Sequence, residues 1–186
     1  MKIARCELEG TSSYSQGRYY EVASLPKERP DEKEQRTWRN KMHTDANGNV
    51  IIPPMAFKNA LTAVAKYLSV QIPGKGKATF TKHFQAGVAV YDPLILPDKA
   101  ADVEGRWLFV PSDGVRGSGK RVKKCFPEIP KWKGEVVYYV LDDTITKDVF
   151  RQHLEESGRF IGIGFFRPQN NGYWGRFKVN SIVWEE

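Results

Sequence analysis

Cysteine, histidine and long apolar runs are all scarce in this chain of 186 residues. Two cysteines, Cys6 and Cys125, cannot form a Cys-x-x-Cys metal site and argue against a disulfide-rich secreted scaffold. No stretch of about 18 apolar residues occurs, which excludes a membrane-spanning helix. The first ten residues, MKIARCELEG, contain no apolar segment of signal-peptide length. A cytoplasmic protein without a membrane partner is expected. The most local absence is of acid: from Ser157 to Trp184 there is no Asp or Glu.

Base is present in excess. Twenty-nine Lys and Arg against 22 Asp and Glu give a formal charge of +7, which favours a polyanionic partner. Within the acid-free region, Gly158 to Arg176 (GRFIGIGFFRPQNNGYWGR) holds five glycines, five aromatics and three arginines. Glycine lets a backbone turn at positive φ and approach a ligand closely. Arginine pairs with phosphate and aromatic rings stack on bases. Lys75, Lys77, Lys82 and His83 form a second basic stretch without acids. Arg116, Lys120, Arg121, Lys123 and Lys124 form a third. Three such stretches point to a nucleic-acid backbone.

The periodicities predict an α+β chain. Residues 2–9 alternate Ala4, Cys6 and Leu8 with charged residues, as a half-buried strand does. Residues 26–48 are polar and rich in both charge signs, and read as an insertion or mobile arm outside the core. Pro53 and Pro54 open a helix over 54–70, with Phe57, Ala60, Leu61, Val64, Ala65 and Leu68 on one stripe. Residues 86–96, broken at Asp92-Pro93, and 106–110 are expected strands. The run 135–141 suits a central, well-covered strand. A second helix over 146–157 takes Thr146 as its N-cap and Gly158 as its terminator. A last strand covers 176–184. The order fits a ferredoxin-like (RRM-like) β-α-β-β-α-β core in a single domain, 1–186, with long insertions at about 10–50 and 97–133.

Catalytic, metal and cofactor motifs are not found. Gly114 to Lys120 matches G-x-x-x-x-G-K, but Arg121 stands where a phosphate-binding loop needs Ser or Thr, and prolines 127 and 130 preclude the helix. Gly162-x-Gly164 lacks the third glycine of a dinucleotide fingerprint. His153 falls on the apolar face of its helix. His83 lies in a basic stretch that disfavours imidazolium. His43 with Asp45 could bind a metal or act on RNA, but no third ligand is evident. Tyr173 and Trp174 flank the Asn171-Gly172 turn and are expected to be exposed.

Three landmarks together resemble the RAMP superfamily, the ferredoxin-like RNA-binding subunits of CRISPR effector complexes. The first is Leu8 to Arg18, a strand followed by a small-residue turn. The second is Val50 to Leu61, which resembles the family's IPGSSLKGAL, with Pro54, Met55 and Ala56 in place of Gly-Ser-Ser. The third is the loop after the second helix, with Gly162, Gly164, Gly172 and Gly175. The resemblance covers about half the chain and is greatest to the backbone subunit that polymerises along guide RNA. It implies a non-enzymatic protein that binds single-stranded RNA, copies of itself and other effector subunits. The thumb and finger elements would come from the two insertions. The RNA contacts would be Lys58, Lys75, Lys77, Lys120, Arg121, Gly162, Gly164, Arg167, Tyr173, Trp174 and Arg176, with glycine N–H groups adding to them. Two alternatives remain: an RNA endonuclease using His43 or His83, and a mimic that blocks an effector complex.

Overall fold

The computed structural model describes residues 1–115 and 117–186. Strand β1 (Lys2–Gly10) turns Ala4, Cys6 and Leu8 to one face, where all three are fully buried. Strand β7 (Lys133–Val140) runs antiparallel beside it, opposing Tyr138 to Ala4 and Val136 to Cys6. Strand β8 (Phe177–Glu185) flanks the other side, and the short β3 (Val88–Ala89) extends the far edge of β7. Sheet order is therefore β3-β7-β1-β8.

Helix α2 (Pro54–Leu68) connects β1 to β3, and α4 (Lys147–Glu156) connects β7 to β8. These six elements run β-α-β-β-α-β with every neighbour antiparallel, the ferredoxin-like arrangement. The expected fold class holds. Phe57, Ala60, Leu61, Val64 and Ala65 of α2 are buried, as are Phe150, His153 and Leu154 of α4. Thr146 caps α4 through its side-chain oxygen, which accepts from the Val149 N–H. Aromatic rings join the layers, with Phe150 and Tyr138 centroids 5.3 Å apart.

The opposite sheet face is ionic. Arg5 reaches Glu135 at 3.6 Å and Glu185 at 3.1 Å, while Lys133 meets Glu7 and Lys178 meets Glu9. Among the described residues no helix is long and apolar enough to cross a membrane.

Other elements occupy two stretches, 11–53 and 90–132. The first contains α1 (Pro30–Thr37), a 3₁₀ turn (Trp38–Lys41) and β2 (Asn49–Ile52). The second contains β4 (Leu94–Lys99), paired with β2, and a two-stranded ribbon of β5 (Glu104–Pro111) and β6 (Arg121–Glu128). Helix α3 (Thr81–Gly87) precedes β3.

Two sequence expectations need correction. Residues 26–48 are not a mobile arm, because Trp38 and Met42 belong to the core and Glu34, Thr37 and Lys41 are buried. Glu34 is the anchor. Its carboxylate takes the ammonium of Lys41, that of Lys124 at 3.2 Å, and the Cys125 N–H at 2.9 Å. Lys41 also donates to the Cys125 carbonyl at 2.6 Å. Gly158, in turn, does not end the second helix. The chain continues through it as a π turn (Ser157–Ile161), and Gly162 in left-handed backbone closes that turn. A side chain at Gly158 would overlap the Phe177 carbonyl, so this glycine serves close packing against β8.

Burial alone would raise the Glu34 pKa, but hydrogen bonds from Lys41 and the Cys125 N–H hold it below the ordinary value. A lowered folded value contributes stability that is present above the unfolded carboxylate range and lost as pH falls through the folded value. Glu34→Ala strips the counter-charge from buried Lys41. It is expected to cost about 3–5 kcal/mol in urea unfolding at pH 7, and to flatten the acid limb of the stability profile.

Candidate nucleic-acid interface

The three landmark segments meet. A cleft of about 1080 Å³ is bordered by Gln16, Gly17 and Arg18 after β1, by Pro53, Met55, Ala56, Asn59 and Ala60 at the start of α2, and by Gly162 to Arg167 and Gln169 to Asn171 of the glycine-rich loop. His43 and Gly114 complete its rim. Among the described residues no Asp or Glu lines it, whereas Arg18, Arg167 and several side-chain amides do. The first turn of α2 carries no acid either, so the positive end of its dipole faces the cleft uncompensated.

Backbone hydrogen bonds hold this geometry. Tyr14 exchanges both of its backbone bonds with Ile129, at 2.8 and 2.9 Å. On the opposite edge, the Ser13 carbonyl accepts from the Gly175 N–H at 2.7 Å and the Ser15 carbonyl from the Phe165 N–H at 2.8 Å. Behind the cleft, the Trp132 ring sits 6.3 Å from Tyr14, 6.3 Å from Phe57 and 6.1 Å from Phe177. At Gly164 (φ +78°) any side chain would collide with the Ser15 carbonyl.

Most of the loop's glycine amides are spent inside the fold, contrary to expectation. The Gly162 N–H donates to Ser157, that of Gly172 to Arg167 and that of Gly175 to Ser13. The Gly164 N–H takes no partner among the described residues. Arg167 is held in place, with Nη1 donating to the Gly164 carbonyl at 3.1 Å and Nε to Gln169 at 3.1 Å. Its remaining N–H groups are available to an anion.

Gly162, Gly164 and Arg167 are the sequence-predicted residues that line the cleft. Lys58 is withdrawn from that set: its ammonium, half-buried, donates to the carbonyls of Phe84 at 2.6 Å and Gln85 at 2.9 Å. Burial lowers its pKa. Lys75 and Lys77 are exposed on the loop between α2 and α3, and Lys120 and Arg121 on the ribbon. Tyr173 is 73 % exposed. Trp174 is half-buried rather than exposed, because its ring packs edge-on against Phe166 with centroids 5.8 Å apart. Arg176 is exposed and its Nε donates to the Arg159 carbonyl. Arg116 lies outside the described residues.

Sequence reasoning missed Arg18 and Gln16 as cleft residues; the Gly-Ser-rich turn after β1 was the available signal. His43 is half-buried at the rim, and burial followed by the charge of Arg18 lowers its pKa. Its supposed partner Asp45 is turned to its own turn, accepting from the backbone N–H groups of Asn47 and Asn49 and from the Asn49 side chain. His83 is not in purely basic surroundings: its Nδ1 lies 2.6 Å from Asp142. Among the described residues, no group of three His, Cys, Asp or Glu is placed to hold a metal.

Among solved structures, the chain is similar to Cmr6 from Pyrococcus furiosus, with a TM-score of 0.46 and 14% identity over 96% of this chain and 99% of that one. No protein family and no curated protein matches the sequence.

Gly164→Ala is expected to lower the unfolding midpoint by the equivalent of about 1–3 kcal/mol. Gly117→Ala, also at positive φ but with open space around it, should cost only the backbone strain, about 1–2 kcal/mol, and less than the change at Gly164. Equal costs at the two sites would show that the close approach to Ser15 is unimportant.

Proposed function

We propose that the chain is a non-enzymatic RNA-binding protein of the CRISPR effector type. In this reading it is a backbone-like subunit that holds single-stranded guide RNA in the cleft and associates with further copies of itself and with other effector subunits. The observation that carries the reading is the acid-free cleft where the turn after β1, the start of α2 and the glycine-rich loop converge. A phosphodiester there meets Arg18, the pre-set guanidinium of Arg167, the Gly164 N–H and a helix N-terminus, with no carboxylate to repel it. Lys75, Lys77, Lys120, Arg121 and Arg176 extend the positive field along the strand, and exposed Tyr173 offers a ring for stacking. The sheet's open face does not serve as an RNA platform in this reading, because Glu7, Glu9, Glu135 and Glu185 are spread across it.

Labelled single-stranded RNA should bind at about 50 mM salt, with affinity falling steeply as salt rises. Arg18→Ala and Arg167→Ala should each weaken binding alike on all sequences and reduce the log–log salt slope by about 0.7. Full binding by the double variant would refute the cleft as the site. Self-association predicts that sedimentation of the complex rises stepwise with RNA length.

His43 on the cleft rim favours one second reading, an RNA endonuclease. Its lowered pKa keeps the imidazole neutral at pH 7 and able to accept a proton. Cleavage of bound RNA that disappears in His43→Ala, with binding retained, would establish it. RNA recovered intact from the wild-type protein would exclude it.

A further inference from the structure

The main sheet has two unequal edges: β3, which is only Val88–Ala89, and β8, Phe177–Glu185. Backbone direction along β8 follows from β1. The Gly10 N–H goes to Trp132 just before β7, and the Thr11 N–H goes to Arg176 just before β8. Alternation therefore points Glu7, Arg5 and Ile3 at β8, and points their partners Ser181, Val183 and Glu185 back at β1. Ile182 and Trp184 are left with N–H and C=O directed away from the sheet. No backbone group meets them there among the described residues.

Natural edge strands are blunted by bulges, lysines or cover. The first half of β8 has all three. Asn180 is an extra residue where the register with β1 shifts, and Lys178 stands in the strand. The π turn lies so close that a side chain at Gly158 would overlap the Phe177 carbonyl. The second half, Ser181 to Glu185, has none of these guards. Val183 lies on the outer face opposite Arg5 and is 55 % exposed. Ile182 and Trp184 pack against the core from the inner face but stay half-buried.

An open edge is completed by another strand. The β3 edge of a second copy is too short to supply one, which excludes joining the sheets head to tail. The unguarded half of β8 is instead complementary to itself. Turned end to end about Val183, Ile182 of each copy stands opposite Trp184 of the other, and both residues direct their hydrogen-bonding groups outward as that pairing needs. Val183 stands opposite its own equivalent in a non-hydrogen-bonded pair, where side chains approach most closely. The Ser181 hydroxyl faces the Glu185 carboxylate, donor to acceptor. The guarded half of each strand falls outside the overlap. We propose that two copies of the chain join through Ser181 to Glu185 of β8, antiparallel about Val183, into one continuous sheet. So short an overlap buries far less than the ~1,600 Å² of a stable complex, so the pair comes apart on dilution. It forms without RNA, unlike association along a strand, and stands or falls separately from the cleft.

Sedimentation of the full chain without RNA should show a monomer–dimer equilibrium that shifts with protein concentration, and Arg18→Ala/Arg167→Ala should leave it unchanged. Val183→Lys sets like charges opposite each other at a position exposed enough to spare folding. It should raise the dissociation constant of the dimer by at least about tenfold, with the unfolding midpoint held. Val183→Cys should give a disulfide-linked dimer under mild oxidation, because Cα atoms in a non-hydrogen-bonded pair lie about 4.5 Å apart, within disulfide reach. The native cysteines, Cys6 and Cys125, are buried and do not compete. Lys178→Cys, in the guarded half, should not cross-link. Equal cross-linking at the two positions would overturn the proposal as random collision. A dimer that survives Val183→Lys would overturn it in favour of another face. A chain that stays monomeric, with no cross-link in Val183→Cys, would overturn it and leave the edge to a strand of a different protein.

Discussion

Two of the cleft's borders, the turn after β1 and the glycine-rich loop, hang together on the three extended residues Ser13, Tyr14 and Ser15. In extended chain, successive backbone groups point to opposite edges. Tyr14 therefore bonds to Ile129 on one side, while Ser13 and Ser15 bond to the glycine-rich loop on the other. This staple joins the end of the ribbon to the chain leaving α4, two parts that share no strand of the main sheet. It also explains the glycine at 164: the loop must pass so near the Ser15 carbonyl that a side chain has no room. The loop is consequently rigid by hydrogen bonding before any ligand arrives. A strand bound there loses affinity to its own ordering, but little to that of the protein.

Charge is sorted between the faces of the molecule. The acids of β1, β7 and β8 are gathered on the open sheet face and neutralised by Arg5, Lys133 and Lys178. Register dictates this, because Glu7 and Glu135 stand directly opposite and would repel without those cations. Among the described residues, the lining of the cleft itself has no carboxylate. The cleft lining instead presents Arg18 and Arg167 where the backbone turns and the helix dipole add to their field.

Local pattern was legible; distant pairing was not. The alternation in residues 2–9, the stripe in 54–70 and the Thr146 cap describe short-range geometry, and each element lies where the pattern puts it. The glycine-rich loop was visible by composition, though its amides turned out to be committed internally. Residues 26–48 give no local sign of their burial, because a buried charge looks in sequence like a solvated one. Glu34 is buried only because Lys124 and Cys125, some 90 residues later, come to meet it. Lys58 failed for the same reason in reverse: the carbonyls that occupy it belong to α3. Gly158 looked like a terminator because nothing local reveals that β8 lies against it.

The arm and the ribbon are best understood together. Two strands alone are marginally stable, so β5 and β6 need an anchor at their root. The anchor is ionic: Glu34 and Lys41 occupy the N–H and the carbonyl of Cys125, and Lys41 also lies 4.3 Å from the centroid of the Phe126 ring. Phe126 then stacks on Phe165 of the glycine-rich loop at 3.9 Å. A hydrophobic contact in place of Glu34 could hold the ribbon as tightly, since buried ion pairs often contribute little net stability. It would not fix the ribbon's direction so narrowly, because carboxylate and ammonium accept only a few geometries. Direction is what a ribbon whose turn borders the cleft requires. The polar arm, set aside in sequence as outside the core, is thus the element that aims the ribbon, while the Ser13–Ser15 staple shapes the cleft beneath it.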